Sequence, residues 1–414
     1  MVNRVLLTYN PDKVMDGVAA AGDMTEYFLA ASIQELIKID RVFRDALENE
    51  GIIIEEADHS RGLEGIASQV AAAEFVWHNF NLLYRQLGTE FGVDREAPER
   101  KVQAICKIIR DNGKLPYSHG IRDFLSSMNK VQTAEYLAQQ GIPVPQTQSV
   151  REYLEGEKPV PVVLKVNGWS RGENIFFVER LEQLVNYFDR KFYRKGVRVS
   201  LGGSLEMYDN TLPDSEDYHV SEFIDSPSDH YTHFRILTFK DQILVAVLNY
   251  SSNKKSDESR MNEEYGRGIP GRMLNWTTAP ESPMYLGWKQ IVSNHVAGST
   301  QIPITLTSDS REITDYERTI IEEHGINPNH PELPTKLVGL AKKVGTLLSK
   351  YGSSYLGQDW IMNRKSNFHF LEVNDAPGMD AFNVTHNHGS IVKAEGTIVG
   401  YQILAKAIRN FQPE

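Results

Sequence analysis

The sequence predicts an α/β fold in which an open parallel sheet comes first and a larger α+β part follows. Three observations lead to this prediction. Apolar strand runs alternate with helical periods in the first part of the chain, and several β-rich runs follow one another after residue 230. The length of 414 residues is also too great for one ordinary core, so we expect two or three domains.

The N-terminal elements alternate between strand and helix. Apolar residues run continuously in the strands and recur at helical spacing in the helices, and Gly51 ends the first long helix. This alternation predicts parallel strands covered by helices. In chain order the predicted elements are strand Arg4–Tyr9, helix Ser32–Asn49, strand Ile52–Ile54, helix Gly65–Ala73, strand Glu74–Phe80 and helix Glu99–Arg110.

The second part mixes short strands with helices and contains one long polar segment. Ser251–Pro303 is rich in turn residues and has no clear period, which is typical of a functional or disordered loop. A hairpin precedes the last helix. The other predicted elements are helix Asn129–Gln140 with a stop at Gly141–Pro145, short strands and a helix near Arg180–Lys191 between Val160 and Ile224, strands Phe234–Thr238 and Ile243–Leu248, helix Lys336–Tyr351 and helix Ile391–Arg409.

Composition excludes several function classes. The formal net charge of -11 disfavours broad nucleic-acid binding, which needs a basic surface. The opening segment is too short and too polar for a secretory signal, and no apolar run reaches the roughly 20 residues that span a bilayer. The single cysteine, Cys106, excludes an internal disulfide and a cysteine-built metal site. We therefore expect a cytoplasmic protein that binds neither nucleic acid nor membrane.

The C-terminal hairpin carries the most informative polar pattern. Glu372 and Asn374 are two residues apart on a strand, so their side chains share a face. If the turn is centred on Lys365, the residue opposite Asp359 is Leu371 or Glu372. Two carboxylates and an amide oxygen suit Mg²⁺. Alternating polar residues also occur on any half-exposed strand, but the apolar neighbours here make unpaired carboxylates costly and favour a cation site.

Lys165 interrupts an otherwise apolar strand that precedes a loop with two glycines, Gly168 and Gly172. Backbone amides of such a loop can approach phosphate oxygens, and the lysine would add a point charge. An edge-strand lysine followed by a surface turn explains the same residues equally well. The spacing is neither that of a P-loop nor that of a dinucleotide-binding fingerprint.

Two further segments have weaker signals. The extended residues Ser221, Glu222, Phe223 and Ile224 lie between two predicted regions and could offer backbone groups to a nucleotide base. Arg235 alternates with apolar residues at the start of a strand. An arginine that faces a cleft would neutralise charge on a transferring phosphoryl group, whereas a structural ion pair is an equally good explanation.

Two histidine pairs are alternative metal candidates: His230 with His233, and His386 with His388. Neither pair has a helical or cysteine partner at the spacing of a zinc motif. We interpret these histidines as structural or substrate-contacting.

Taken in order, these motifs resemble the ATP-grasp superfamily, and above all its amino-acid and peptide ligases such as D-alanine–D-alanine ligase, glutathione synthetase and the protein glutamate ligases. The most specific part is Asp359 followed by the pattern Glu372, Asn374, Pro377 and Gly378. The resemblance implies that Asp359, Glu372 and Asn374 hold Mg²⁺ under the phosphates of ATP, with Mn²⁺ as an alternative cation.

The same resemblance, which runs from about Ser126 to Phe382, implies roles for further residues. The loop Asn167–Asn174 contains fewer glycines than in many members, and Ser251–Pro303 is longer than expected. The implied roles are nucleotide contacts for Lys130 and Lys165, the adenine hinge for Ser221–Ile224, a ribose contact for Asp229, the terminal phosphate and acyl phosphate for Arg235, and an active-site asparagine for Asn294.

The resemblance also implies a domain organisation and an activity. We expect a pre-ATP-grasp domain over 1–125, a small lid subdomain over 126–224 and a large subdomain with the metal site over 225–414. The implied reaction joins a small-molecule or peptide carboxylate to an amine through an acyl phosphate, with release of ADP. A small-molecule kinase of the same fold and a non-catalytic ATP-binding regulator are the alternatives, and a homo-oligomer is compatible with the family.

Overall fold

The computed structural model describes residues 1–13, 37, 40–79, 82–83, 86–87, 96–112, 130–156, 161–166, 176–178, 193–199, 205–211, 218–254, 289–290, 300–304, 313–350, 355–374 and 391–412. The strands are β1 (Arg4–Leu7), β2 (Ile53–Glu56), β3 (Phe75–Trp77), β4 (Thr147–Ser149), β5 (Val162–Val166), β6 (Phe176–Val178), β7 (Tyr193–Val199), β8 (Leu205–Thr211), β9 (Tyr218–Glu222), β10 (His230–Phe239), β11 (Gln242–Lys254), β12 (Lys289–Gln290), β13 (Thr300–Pro303), β14 (Tyr355–Met362) and β15 (Phe368–Asn374). The α-helices are α1 (Gly62–Ala72), α2 (Glu96–Asp111), α3 (Lys130–Gln139), α4 (Val150–Glu155), α5 (Asp315–Glu323), α6 (Thr335–Ser349) and α7 (Ile391–Arg409).

The N-terminal sheet is parallel, as the alternation of strand and helix predicts. Its order is β2-β1-β3, and Val5 on the central strand lies opposite Ile54 and Phe75. The continuous apolar run of β1 is buried, as expected for a strand covered on both faces. A helical stretch over residues 40–49 connects toward β2, and Gly51 follows it with a positive φ of 72°.

The closing helix α7 joins the core of the N-terminal sheet. Tyr401, Leu404 and Ile408 are buried in the same apolar cluster as β1 and β3. The backbone N–H of Val2 donates to the carbonyl of Arg409 at 3.0 Å, which fastens the two ends of the described chain together. The domain limits remain a prediction, but this helix shares its core with residues of the first predicted domain.

The second sheet is antiparallel and has the order β12-β6-β5-β9-β4. Helix α4 follows β4 directly and begins with a capping box, in which Ser149 and Glu152 bond to each other's backbone N–H groups. β7 and β8 form a separate antiparallel pair. The predicted helix near Arg180–Lys191 lies outside the described residues.

The large antiparallel sheet has the order β13-β11-β10-β14-β15, and both of its faces carry buried apolar residues. On one face, Phe234, Ile236 and Trp360 pack with residues of helices α5 and α6 in one buried cluster. Helix α6 approaches the turn between β10 and β11 so closely that a Cβ at Gly345 would lie 1.9 Å from the carbonyl oxygen of Lys240. A glycine is therefore required at this contact.

Helix α3 packs against this large sheet rather than standing apart from it. Its Leu137 and the following Ile142 belong to the apolar cluster of the large sheet. The backbone N–H of Phe370 on β15 donates to the carbonyl of Pro143 at 2.8 Å. The residues that open the predicted small subdomain thus contact the edge of the large one.

Two predicted strands are longer in the structure, and the polar segment Ser251–Pro303 is not a loop throughout. β10 and β11 extend beyond Phe234–Thr238 and Ile243–Leu248 at both ends. Ser251–Lys254 continues β11, and β12 and β13 also belong to the segment. Strand pairing across the sheets stabilises these polar runs, which carry no apolar period of their own. Among the described helices, none combines the length and the apolar character needed to cross a membrane.

Candidate active site

Three strands of the large sheet bring the predicted charged residues into one row. Arg235 on β10 lies directly opposite Asp359 on β14, and Asp359 lies directly opposite Glu372 on β15. Directly opposed residues share a face and have Cβ atoms about 4.5–5.5 Å apart. Asn374 lies two positions after Glu372 and opposite Gly357, so it continues the same face. The structure therefore groups the three predicted metal ligands with Arg235.

A β-bulge creates this grouping. Trp360 pairs with Phe370, and the register then shifts so that Asp359 pairs with Glu372 instead of Leu371. In an unshifted strand, Glu372 would share the face of Phe370, which is buried in the apolar cluster of the large sheet. The extra residue turns Glu372 toward the face of Asp359. Bulges occur often beside active sites, where they redirect a side chain.

The turn of the hairpin is closed by its own asparagine. The Asn363 N–H donates to the Asn367 carbonyl at 2.8 Å, and the Asn363 Oδ1 accepts from the Lys365 N–H at 2.9 Å. Ser366 completes the turn with a positive φ of 59°. This confirms the polar turn predicted at Asn363–Asn367.

The tip of the hairpin is attached to the segment that follows the predicted hinge. The Arg364 Nε lies 2.5 Å from the Asp225 Oδ2, and the Arg364 N–H donates to the Asp225 carbonyl at 3.2 Å. Both side chains are largely exposed, so the ion pair adds little stability by itself. Its importance is geometric, because it holds the hinge segment beside β14 and β15.

Asp359 is the electrostatic centre of the row. It is 6% exposed, and Arg235 binds it in a bidentate manner, with Nε to Oδ1 at 2.8 Å and Nη2 to Oδ2 at 2.6 Å. His233 also lies on this face, with its Nε2 3.6 Å from Asp359 Oδ1. Burial lowers the pKa of His233, the charge of Asp359 opposes that shift, and the charge of Arg235 adds to it. A neutral imidazole therefore borders the carboxylate.

The donor set of this row fits a hard divalent cation. Each carboxylate oxygen has two lone pairs, so the oxygens of Asp359 can accept from Arg235 and still face a cation. Glu372 is partly buried and Asn374 is exposed, which leaves this end of the row accessible. In the described part of the chain, no three His, Cys, Asp and Glu side chains group as a metal site. The predicted set contains only two carboxylates, because its third member is an amide.

The predicted hinge residues lie at the end of β9. Ser221 is buried opposite Val163, and its hydroxyl contacts that of Thr147 at 3.0 Å. Glu222 is exposed and its N–H donates to the carbonyl of Gln146 at 2.8 Å.

The next three predicted contacts follow in chain order. Phe223 is half-buried and Ile224 is buried, and Asp229 lies exposed in the following loop. The structure thus places the hinge segment on an antiparallel pair and leaves the nucleotide contacts of these residues as predictions.

Of the two predicted lysines, only Lys165 has a side chain in the described part of the structure. Lys165 is partly exposed on β5 and pairs with His219 of β9. Because it lies two positions after Val163, it shares the sheet face of Ser221. Lys130 is the first residue of α3, but its side chain lies outside the described part of the structure. Asn294 lies outside the described residues altogether.

Two residues of this face were not assigned to the site by sequence reasoning. His233 precedes Arg235 by two positions, so the strand period alone would have placed them on one face. Asn249 lies opposite His233 on β11, and its Nδ2 contacts the His233 Nε2 at 3.1 Å. No local pattern marks Asn249, because its position depends on the register between two strands.

Comparison with known proteins gave structural matches only. No family model matches the chain, and no curated protein matches it by sequence. The ATP-grasp ligase PsnB complexed with minimal precursor is similar with a TM-score of 0.45 and 12% identity, over 97% of this chain and 100% of that one. The macrocyclase MdnC bound with the precursor peptide MdnA from Microcystis aeruginosa MRC has a TM-score of 0.44 and 13% identity, over 96% and 98%.

D-alanine–D-alanine ligase from Bacillus anthracis is similar with a TM-score of 0.41 and 10% identity, over 99% of both chains. These proteins carry the names of the family that the motifs resemble. Since all of these TM-scores are below 0.5, the function proposed next depends on the residues of this chain.

Proposed function

We propose that this chain is an ATP-dependent, ADP-forming ligase that joins a carboxylate to an amine. The observation that carries the proposal is the row Arg235, Asp359 and Glu372, which continues to Asn374 on one face of the large sheet. It combines one guanidinium with two carboxylates and one amide oxygen beside the hinge segment. Such a set suits a magnesium-bound triphosphate, as the sequence motifs imply.

The reaction needs no nucleophile from the protein. A carboxylate oxygen of the substrate attacks the γ-phosphorus of ATP, the bond to the β-phosphate oxygen breaks, and ADP leaves with the electron pair. The amine nitrogen then attacks the acyl carbon with its lone pair. The bond from carbon to the phosphate oxygen breaks, inorganic phosphate leaves, and the nitrogen loses a proton to solvent. An amide remains.

The residues of the row would position and stabilise these groups. Bidentate pairing with Asp359 fixes the plane of the Arg235 guanidinium, which would face the charge that develops on the transferred phosphoryl group. Asp359, Glu372 and Asn374 would hold Mg²⁺, which supplies charge neutralisation at the phosphates. A fixed arginine requires no reorganisation during the reaction, so its contribution is available in the transition state.

The remaining assignments follow the family resemblance. Lys130 and Lys165 would contact the phosphates, Asp229 the ribose, and Asn294 the reacting groups. The segment Ser221–Ile224 would bind adenine, and its attachment to the hairpin through Asp225 and Arg364 supports a position next to the row. Mn²⁺ is an alternative cation. We also propose a cytoplasmic location and no binding of nucleic acid or membrane, and a homo-oligomer is compatible with the family resemblance.

The experiment measures ADP release with ATP and Mg²⁺ across amino acids and peptides, singly and in pairs, with product masses recorded. We expect release that requires one carboxylate and one amine, and a product lighter than the pair by one water. A product that carries phosphate and needs no amine would make the chain a kinase. Tight ATP binding without ADP release across the panel would indicate a regulator.

A further inference from the structure

Asn249 is a buried amide next to the charged row, and the proposed chemistry does not yet use it. It lies on β11, opposite His233 on β10 and Gln301 on β13. Arg235 is two residues beyond His233, so Asn249 and Arg235 belong to adjacent rows on the same sheet face. Asn249 is 1% exposed, and both of its opposite residues are also buried.

Only one end of this amide is hydrogen-bonded. The Asn249 Nδ2 donates to the His233 Nε2 at 3.1 Å, which fixes the orientation of the amide. Its Oδ1 is buried and has no hydrogen-bond partner among the described residues. An unpaired buried carbonyl costs about 1–3 kcal/mol, and buried polar atoms nearly always have a partner. The oxygen therefore points to a ligand that brings an N–H or O–H donor.

The strand order locates this oxygen relative to the phosphates. Asn249 lies two strands away from Asp359, beyond β10. Along the strands, its row is nearer than Asp359 to the β14–β15 turn, where the hinge segment is attached. Neighbouring strands are about 4.8 Å apart, so the strand of Asn249 is about 10 Å from the strand of Asp359. An acyl phosphate held at Arg235 and Asp359 would therefore be close enough for an amine bound at Asn249 to reach its acyl carbon.

We propose that the Asn249 Oδ1 accepts an N–H of the amine substrate and directs its nitrogen lone pair toward the acyl carbon. This inference rests on the ligase function proposed above. A carbonyl oxygen repels a carboxylate, so the acceptor amine fits the position and the donor carboxylate does not. The preferred class is a primary amine, which has two N–H groups beside its lone pair and can donate either of them to Asn249 while it attacks. Asn249 takes up no proton and is a substrate-positioning contact.

The test uses hydroxylamine as the amine, with ATP, Mg²⁺ and each carboxylate of the panel, and measures the hydroxamate formed. Wild-type enzyme should reach saturation with hydroxylamine. Asn249→Leu, of similar size but without the oxygen, should raise the half-saturating hydroxylamine concentration about tenfold or more, which corresponds to one lost hydrogen bond. The half-saturating ATP concentration should change by less than about twofold.

Asn249→Gln is the matched variant, because it keeps an amide with both an N–H donor for His233 and an acceptor oxygen. Its half-saturating hydroxylamine concentration should be lower than that of Asn249→Leu by at least about threefold. If Asn249→Leu does not fold by circular dichroism, Asn249→Ala removes the same oxygen with less change in packing and gives the same readout.

The outcomes separate the two proposals. No ADP release by the wild type with any panel carboxylate would overturn the ligase function itself. Hydroxamate formation with an unchanged hydroxylamine requirement in Asn249→Leu would overturn only the role of Asn249. Equal shifts for hydroxylamine and ATP would overturn it as well, since they would indicate a structural effect on the whole site.

Discussion

Two partly buried arginine–carboxylate clusters in this molecule have different surroundings. At the N-terminal sheet, Arg44 binds Asp40 through Nε at 3.0 Å and Glu56 through Nη2 at 2.6 Å. The Tyr9 hydroxyl donates to the second oxygen of Asp40, and the Asn10 side chain donates to the second oxygen of Glu56. Every carboxylate oxygen of this cluster thus has a donor within the protein.

In the cluster of the large sheet, the positions next to the arginine–carboxylate pair carry further acceptor oxygens. Arg235 binds both oxygens of Asp359, and the neighbouring positions on that face are Glu372 and Asn374. Their oxygens add negative charge and lone pairs beside an arginine that is already engaged. The comparison shows that an arginine–carboxylate pair does not by itself identify a site. The pair in the large sheet differs by having a second carboxylate and an amide at the next positions of the same face, a set of oxygens that suits a divalent cation.

Glu372→Gln should have the largest effect and tests the difference between the two arginine–carboxylate clusters. It replaces one proposed cation-binding oxygen by an amide nitrogen and removes a charge, so ADP release should fall by at least about 10³-fold. The control is Glu56→Gln, which removes a carboxylate from the other cluster and should keep turnover per folded molecule. A fully active Glu372→Gln enzyme would refute the assignment of this residue.

Arg235→Met should reduce turnover by about 10²–10³-fold, because it removes the guanidinium proposed to face the transferred phosphoryl group. The substitution keeps an unbranched apolar side chain of similar length. Single-turnover measurements with saturating ATP would locate the loss in the chemical step. Loss of ATP binding alone, with a normal rate at saturation, would contradict this role.

Arg44→Met is the matched change in the other cluster, and its effect should appear in stability. It leaves two carboxylates without their arginine, and the expected decrease in the free energy of unfolding is about 2–3 kcal/mol. This decrease in the free energy of unfolding is smaller than is usual for a buried ion pair, because the Arg44 side chain is 21% exposed. Urea unfolding provides the measurement. A loss of turnover equal to that of Arg235→Met would remove the contrast between the clusters.

Substitution of His369 should produce the smallest of these effects, a change in how the stability of the protein depends on pH. Burial lowers the pKa of His369, the charge of Glu222 opposes that shift, and the charge of Lys336 adds to it. Because the folded pKa is depressed, the unfolded chain binds more protons below about pH 6.5, and stability falls as the pH decreases through that value.

His369→Gln should therefore make the decline between about pH 7.5 and 5.5 shallower, by less than about 1 kcal/mol per pH unit because the side chain is partly exposed. Unfolding at several pH values, with His330→Gln at an exposed position as the control, measures the difference. If stability declined with pH at the same rate in both variants, the lowered pKa of His369 would be contradicted.

The sequence predicted the elements of the hairpin but not its register. A turn centred on Lys365 allowed Leu371 or Glu372 opposite Asp359, and the structure selects Glu372 by a bulge. A bulge depends on competition between two packed faces, which a linear pattern does not contain. The contact between His233 and Asn249 depends on strand pairing in the same way.

The packing of helix α7 was likewise not predictable from the sequence, although its bounds were. Its bounds, Ile391–Arg409, agree with the prediction from periodicity. Periodicity identifies an apolar face but not the surface that covers it. The structure packs Leu404 and Ile408 with the N-terminal sheet, far away in sequence.

The measurement that tests the central claim most directly is calorimetric titration of the protein with a non-hydrolysable ATP analogue, with Mg²⁺ and with EDTA in its place. It needs no knowledge of the carboxylate or the amine. The account predicts binding that requires Mg²⁺, is lost in Glu372→Gln and is kept in Arg44→Met. Binding that is equal with EDTA, or unchanged in Glu372→Gln, would contradict a nucleotide–metal site on this face of the large sheet.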